Sequence, residues 1–228
     1  PITVISPSTY LNLYLRQQFG KIGFANVRFM NLSRFAELVG APDVVASGLV
    51  PLSITREVLA ISSALQSVDN PLRDFTLNQP LLAGLRRTFR MLGELSESEL
   101  SLLKDRSAIE EWLSSIYDQF RENTKGFYTR ELVANAAADR INLGAVSGLS
   151  DLGYPIVYLA RNPSPAEEKL LVALSSRNAC SAILPIVDNE ECDKLTKTLS
   201  YSLSKSLGKA GKGSNLKEDR NIGIEIYA

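Results

Sequence analysis

The apolar period changes twice along this chain, and that break constrains the fold more than any single motif. Residues 1 to about 40 alternate strand-like and helix-like stretches: "TVI", then Leu11, Leu15 and Phe19 at helical spacing, then "NVRFMNL", then Phe35, Leu38 and Val39. From about 51 to 143 strand signals nearly vanish. Segments such as "PLSITREVLAISSALQ", "QPLLAGLRRTFRMLGEL", "SESELSLL" and "RSAIEEWLSSIYDQFREN" place apolar residues three or four apart. On the last of these, Ile109, Trp112, Leu113, Ile116 and Phe120 are predicted to form the buried stripe. Alternation then returns with "GYPIVYLA", a continuous apolar run of the kind a doubly covered parallel strand needs. "SAILPIV" and "IGIEIY" follow as further strands.

Alternating strands and helices predict an α/β fold, a parallel sheet with helices on both faces. The helical block is then an inserted subdomain, residues 46–147, within a core made of 1–45 and 148–228. At 228 residues and 45% hydrophobic, the chain can bury a core without staples.

Composition removes several chemistries. The chain contains no histidine, and its two cysteines, Cys180 and Cys192, are too far apart for a C-x-x-C pair. A Ser/His/Asp triad and the usual zinc sets are therefore not available within it. Lys plus Arg equals Asp plus Glu, so any polyanion contact must come from a local patch. No stretch approaches the roughly 20 apolar residues of a membrane span, and no basic-then-apolar leader opens the sequence. The expectation is a cytoplasmic protein without a membrane partner.

Nucleotide chemistry is tested at two corners. A P-loop needs G-x-x-x-x-G-K-[ST] after a strand, so that backbone amides and a lysine wrap the phosphates. Ser6-Pro7-Ser8, where the first strand meets the first helix, has neither glycine nor lysine. "GKAGKGSN" at 208–215 has both, but Ser214 follows Gly213 where lysine is required, and the stretch reads as a flexible solvated loop. The magnesium acid should follow a buried strand. After "YPIVYLA" stand Arg161 and Asn162, and the first acids, Glu167 and Glu168, already fit a helix start in which Ser164, Pro165 and Glu167 make a capping box.

Two places suit phosphate contact without hydrolysis. Ser6 as N-cap with Pro7 at the first helical position would leave Ser8 and Thr9 outward at a positive helix end. The bland alternative is that Ser6 only caps its helix. On "LAGLRRTFRML", Arg86 and Arg90 share a face with Arg87 adjacent, a grip for phosphates or a solvated face paired with nearby acids.

In order, "VISPSTYLNLYLRQQFG", "VRFMNLSRFAELV", "PLSITREVLAISSAL", "FTLNQPLLAGLRRTFRMLGEL", "IEEWLSSIYDQFRENTKGFYTRELVANAAADRI" and "YPIVYLARNPSPAEEKLLVAL" resemble the N-terminal region of the AddB-type, RecC-like subunit of bacterial double-strand-break repair helicase-nucleases. That region looks like an inactivated superfamily 1 helicase domain. The resemblance implies a RecA-like core with an inserted helical subdomain, and "VISPS" in the place of a strand and loop that run beside single-stranded DNA. Ser6, Pro7 and Ser8 then become candidate DNA-backbone contacts, in addition to Arg86, Arg87 and Arg90, which are candidates from their charge and spacing alone. It implies no catalytic residue, metal or cofactor in this stretch, and as partners DNA, bound without regard to sequence, and an AddA-type motor subunit. The chain is expected to be a piece of a longer protein, with nuclease and iron-sulfur elements lying downstream. The rival expectation is a pure protein-interaction domain that touches no DNA.

Overall fold

The computed structural model describes residues 1–21, 23, 25–104, 107–144, 149–158, 163–176, 180–186, 194, 197, 198, 214–217 and 223–227. Two compact units divide the chain, 1–44 with 132–228, and 45–131.

The first unit begins with β1 (Ile2–Ser6), α1 (Thr9–Gly20), β2 (Val27–Asn31) and α2 (Leu32–Ala46). The second unit holds the short β3 (Val50–Pro51), α3 (Ile54–Ser67), α4 (Gln79–Leu92), α5 (Glu97–Lys104), α6 (Ala108–Asn123) and β4 (Phe127–Tyr128), which pairs parallel to β3. The chain returns to the first unit through α7 (Arg130–Asn142) and α8 (Leu149–Leu152). It finishes with β5 (Tyr154–Tyr158), α9 (Pro165–Ser176), β6 (Ser181–Ile186), β7 (Ser214–Lys217) and β8 (Gly223–Tyr227).

The sheet runs β2-β1-β5-β6-β8-β7. Its first four strands are parallel, as the alternation predicts, and the fold is α/β with a RecA-like parallel sheet flanked by helices. Right-handed crossovers step outward from β1 to β2 and the opposite way from β5 to β6, so α1 and α9 lie on opposite faces. Strand order therefore reverses between β1 and β5. The parallel expectation fails at the far edge, where β8 runs antiparallel to β6 and to β7. Only residues 218–222 separate β7 from β8, too few for the crossover that a parallel pair requires. Ser214 and Asn215, read from the sequence as the end of a loop, open β7; the remaining residues of "GKAGKGSN", 208–213, lie outside the described residues.

The helical insertion is present but ends earlier than expected, at 131 instead of 147. The reason is the run of small residues on α7: Val133, Ala134, Ala137 and Ala138 are buried and let the helix lie against α2 at Gly40. A Cβ on Gly40 would stand 2.7 Å from the Ala137 nitrogen and closer still to the Val133 carbonyl. Arg140 and Asp43 join the same two helices at 2.8 Å. In the second unit, Ile61 and Leu65 of α3, Leu82, Leu85 and Phe89 of α4, and Ile116, Tyr117 and Phe120 of α6 form one core. The α6 stripe is turned from its predicted position: Ile116 and Phe120 are buried, Trp112 and Leu113 only partly, Ile109 is exposed, and Tyr117 takes its place with its ring 5.3 Å from that of Phe89. No helix among the described residues is long and apolar enough to cross a membrane.

Two stability measurements follow. Gly40→Ala forces its methyl into the backbone of α7 and is expected to cost about 1–3 kcal/mol. Gly84→Ala, on the exposed side of α4 with nothing within 4 Å, is expected to stabilise by about 1 kcal/mol. Urea midpoints give the two signs. Burial pushes the Cys180 thiol from 9.0 up to about 11. Below pH 9 both states keep the proton and stability is unaffected; between 9 and 11 the unfolded chain releases it while the native one retains it, so stability falls with rising pH. Cys180→Ala should flatten that part of the alkaline denaturation profile.

Candidate nucleic-acid interface

The first corner is built differently from the sequence expectation. A residue before proline is pushed to extended backbone, so Ser6 stays in β1 and Pro7 cannot open the helix in the predicted register. Ser8, extended at φ −142° and ψ 150°, is the N-cap instead, and its Oγ accepts from the Leu11 N–H at 3.2 Å. Ser6 is buried, 1% exposed, and its hydroxyl donates to Asn12 Oδ1 at 2.8 Å, with the Ser8 carbonyl 3.0 Å away. Asn12 is the one buried residue of α1, and Ser6 is its partner. Of the three residues proposed to meet a phosphate, Ser6 therefore braces the corner from inside. Ser8 and Thr9 stand exposed at the helix start, and Pro7 is half-buried between them and the strand.

This corner lies where strand order reverses, the place at which open α/β sheets bind ligands. The crevice there is nearly closed. Ile5, Pro7, Leu32, Val157 and Pro163 leave a cavity of about 10 Å³ beside Ser6 and Glu167. That is room for one water at most, against roughly 300 Å³ or more for a small-molecule pocket. Glu167 is engaged as predicted: its carboxylate accepts from the Ser164 N–H at 2.9 Å, and its own N–H donates to Ser164 Oγ at 3.4 Å, which is the capping box that starts α9. Arg161 and Asn162, which the resemblance sets where acids would be, lie outside the described residues.

The α4 arginines meet an acid that sequence spacing did not point to. Glu57, in the first turn of α3, has a side chain 8% exposed. Arg90 closes on it as a fork, Nε to Oε1 at 3.2 Å and a terminal nitrogen to Oε2 at 3.0 Å, and Arg86 donates its Nε to Oε2 at 2.9 Å. Two of the three guanidinium groups thus share one buried carboxylate. Arg87 is exposed, and no carboxylate among the described residues lies within ion-pair distance of it. A cavity of about 90 Å³ opens beside this cluster, lined by Glu57, Arg90, Phe89, Tyr117, Phe120 and Arg130 among others. Burial raises the Tyr117 phenol above its ordinary value. The sequence did hold a signal for Glu57. It continues the stripe of Ala60, Ile61, Ala64 and Leu65, and an acid on an apolar stripe needs a cationic partner.

Removing that carboxylate is the direct test of its role. Glu57→Gln leaves two guanidinium groups without their anion and is expected to cost about 2 kcal/mol or more. A double-mutant cycle with Arg90→Ala should show a coupling energy above about 0.5 kcal/mol by chemical denaturation. Neither a protein-family model nor a curated protein matches this sequence.

Proposed function

We propose that this chain is a non-catalytic, RecA-like scaffold domain that guides a DNA strand and docks against a motor subunit, within an AddB-type subunit of a double-strand-break repair helicase-nuclease. The order of segments set out above supports the family. The observation that carries the strand-guiding role is the corner after β1. At the reversal of strand order it offers an open helix start with exposed Ser8 and Thr9, while the described residues lining the adjoining crevice leave room for one water at most.

The chemistry follows from the free groups. Ser8 Oγ occupies the Leu11 N–H, and the N–H groups of Thr9 and Tyr10, with the hydroxyls of Ser8 and Thr9, can donate to a phosphate oxygen. Such contacts position a backbone and carry no base information. Arg87 supplies a second, separate phosphate contact, and Arg86 and Arg90 contribute less because Glu57 balances one of their two charges. The helical unit suits the docking role. Residues 45–131 hold twelve acids against ten bases, and Leu59, Phe75, Leu77 and Met91 are each more than half exposed. That surface also favours the second reading, protein interaction without DNA contact.

Titrating the chain into labelled single-stranded DNA at about 50 and 200 mM salt separates the readings. Phosphate contact predicts an affinity that falls steeply with salt, and apolar docking predicts no binding. Arg87→Ala should lower the salt slope by about 0.7 with the melting temperature unchanged, whereas Arg86→Ala and Arg90→Ala should lower the melting temperature first. DNA-stimulated ATP hydrolysis by the chain would overturn the non-catalytic assignment.

A further inference from the structure

Helix α1 is apolar on two sides. Its inward side, Leu11, Leu15 and Phe19, packs half-buried toward the sheet, with the Phe19 ring 5.8 Å from Phe29 of β2. Its outward side sets Tyr10, Tyr14, Gln17 and Lys21 in one line at spacings of four, three and four residues, with Leu13 beside the tyrosines. Tyr10 is 87% exposed, Tyr14 56% and Leu13 53%. A single exposed apolar residue is ordinary; two tyrosines one helical turn apart, with a cation continuing their line, form an organised surface.

Charge identifies what covers it. The chain as a whole is neutral, yet residues 1–36 contain no Asp or Glu and carry Arg16, Lys21, Arg28 and Arg34. Among the described residues only Arg34 of these four forms an ion pair, with Glu37 at 3.0 Å. Lys21 ends the tyrosine line with its ammonium 3.5 Å from Gln18 Oε1, and the exposed Arg16 lies off that line, one turn from Leu13 and about 120° around the helix from Tyr10. A protein partner would have to set acids of its own beside an apolar patch to match these groups. Phosphates ask for cations and unpaired bases for π faces, and only a single-stranded nucleic acid presents both along one line.

Resting on the strand-guiding role proposed above, we infer that the outward face of α1 is a stacking platform for single-stranded nucleic acid, with Tyr10 and Tyr14 each taking a base, Lys21 holding the phosphate at the end of their line and Arg16 reaching the backbone from the helix flank. The first turn of α1, with Ser8 and Thr9, then meets the strand at one end of the platform. Readout is indifferent to sequence because every base has a π face.

The test uses the 228-residue chain with labelled oligo-dT, oligo-rU, an abasic oligonucleotide of equal length, and the Tyr10→Ala/Tyr14→Ala double variant. Both side chains are exposed, so the melting temperature should not move. Affinity for oligo-dT should fall by about fivefold or more for each tyrosine, with the salt slope unchanged, and Tyr10→Phe/Tyr14→Phe should restore it. The abasic strand should not distinguish the variants. Arg16→Ala/Lys21→Ala should instead reduce the slope by about 0.7 for each charge. Comparison of oligo-dT with oligo-rU assigns the strand to DNA or RNA. Unchanged oligo-dT binding by the double alanine variant, or an equal loss on the abasic strand, overturns the platform and leaves the strand-guiding role standing. Absence of binding by the unaltered chain overturns both.

Discussion

A parallel strand in mid-sheet has no free edge, and β1 is such a strand. It bonds to β2 on one side and β5 on the other, and the Thr3 hydroxyl is spent on the Leu152 carbonyl. Everything around it follows from that enclosure. A strand closed on both edges and covered on both faces needs apolar residues along its length and helices packed above and below. The chain can be open only beyond its carboxyl end, and there β1 and β5 send their connections in opposite directions. In many α/β proteins the resulting crevice is a ligand site. Here Ile5, Leu32, Val157 and Pro163 fill it, and Ser6 turns its hydroxyl inward to Asn12. Among the described residues the crevice is nearly filled, which leaves its rim, and above all the start of α1, as the surface with groups to offer.

The helical unit is organised around a different constraint, the burial of Glu57. A carboxylate 8% exposed must be compensated, and two guanidinium groups from the next long helix do so with four nitrogen-to-oxygen contacts of 3.2 Å or less. The arrangement fixes the rotation of α4 against α3, because Arg86 and Arg90 can reach the same carboxylate only from one face. That rotation turns Leu82, Leu85 and Phe89 into the core and leaves Arg87 pointing to solvent. A cluster that sequence reasoning reads as a phosphate grip is thus first a device for setting helix register. The charge it has left over is small.

Features that depend on local chemistry could be read from the sequence. Strand and helix alternation, the helical block and the Ser164–Glu167 capping box are each decided within a few residues by period, β-branching and hydrogen-bonding side chains. What escaped was decided at a distance or by competition between local rules. Pro7 can open a helix or hold its predecessor extended, and the structure takes the second course, which moves the cap from Ser6 to Ser8. The end of the insertion rests on Gly40 meeting Val133 and Ala137, a contact between residues some ninety positions apart. Glu57 and its arginines are separated by 29 and 33 positions, beyond any spacing rule for a single helix. The tyrosines of α1 were hidden for another reason. Tyr10 and Tyr14 sit beside Leu11 and Leu15, so both sides of the helix look apolar and only the packed structure tells which one is left outside.

Charge and aromatic surface separate along this chain in a way that overall composition conceals. A formal net charge of zero would ordinarily argue against a polyanion as partner, yet the acids are absent from the first 36 residues and exceed the bases in 45–131. Screening makes the local distribution the relevant quantity, because at physiological salt a phosphate feels charges within about 8 Å and little beyond. In the proposed reading a strand passing along α1 meets Arg16 and Lys21 in a stretch of sequence that carries no acid before Glu37, and the neutrality of the whole opposes the non-specific coating that a uniformly basic protein would attract. The guide proposed for a moving strand needs that balance. Contacts must be strong enough to hold a backbone in line and few enough to release it, and the proposed stacking on two exposed tyrosines with two nearby cations would satisfy both demands.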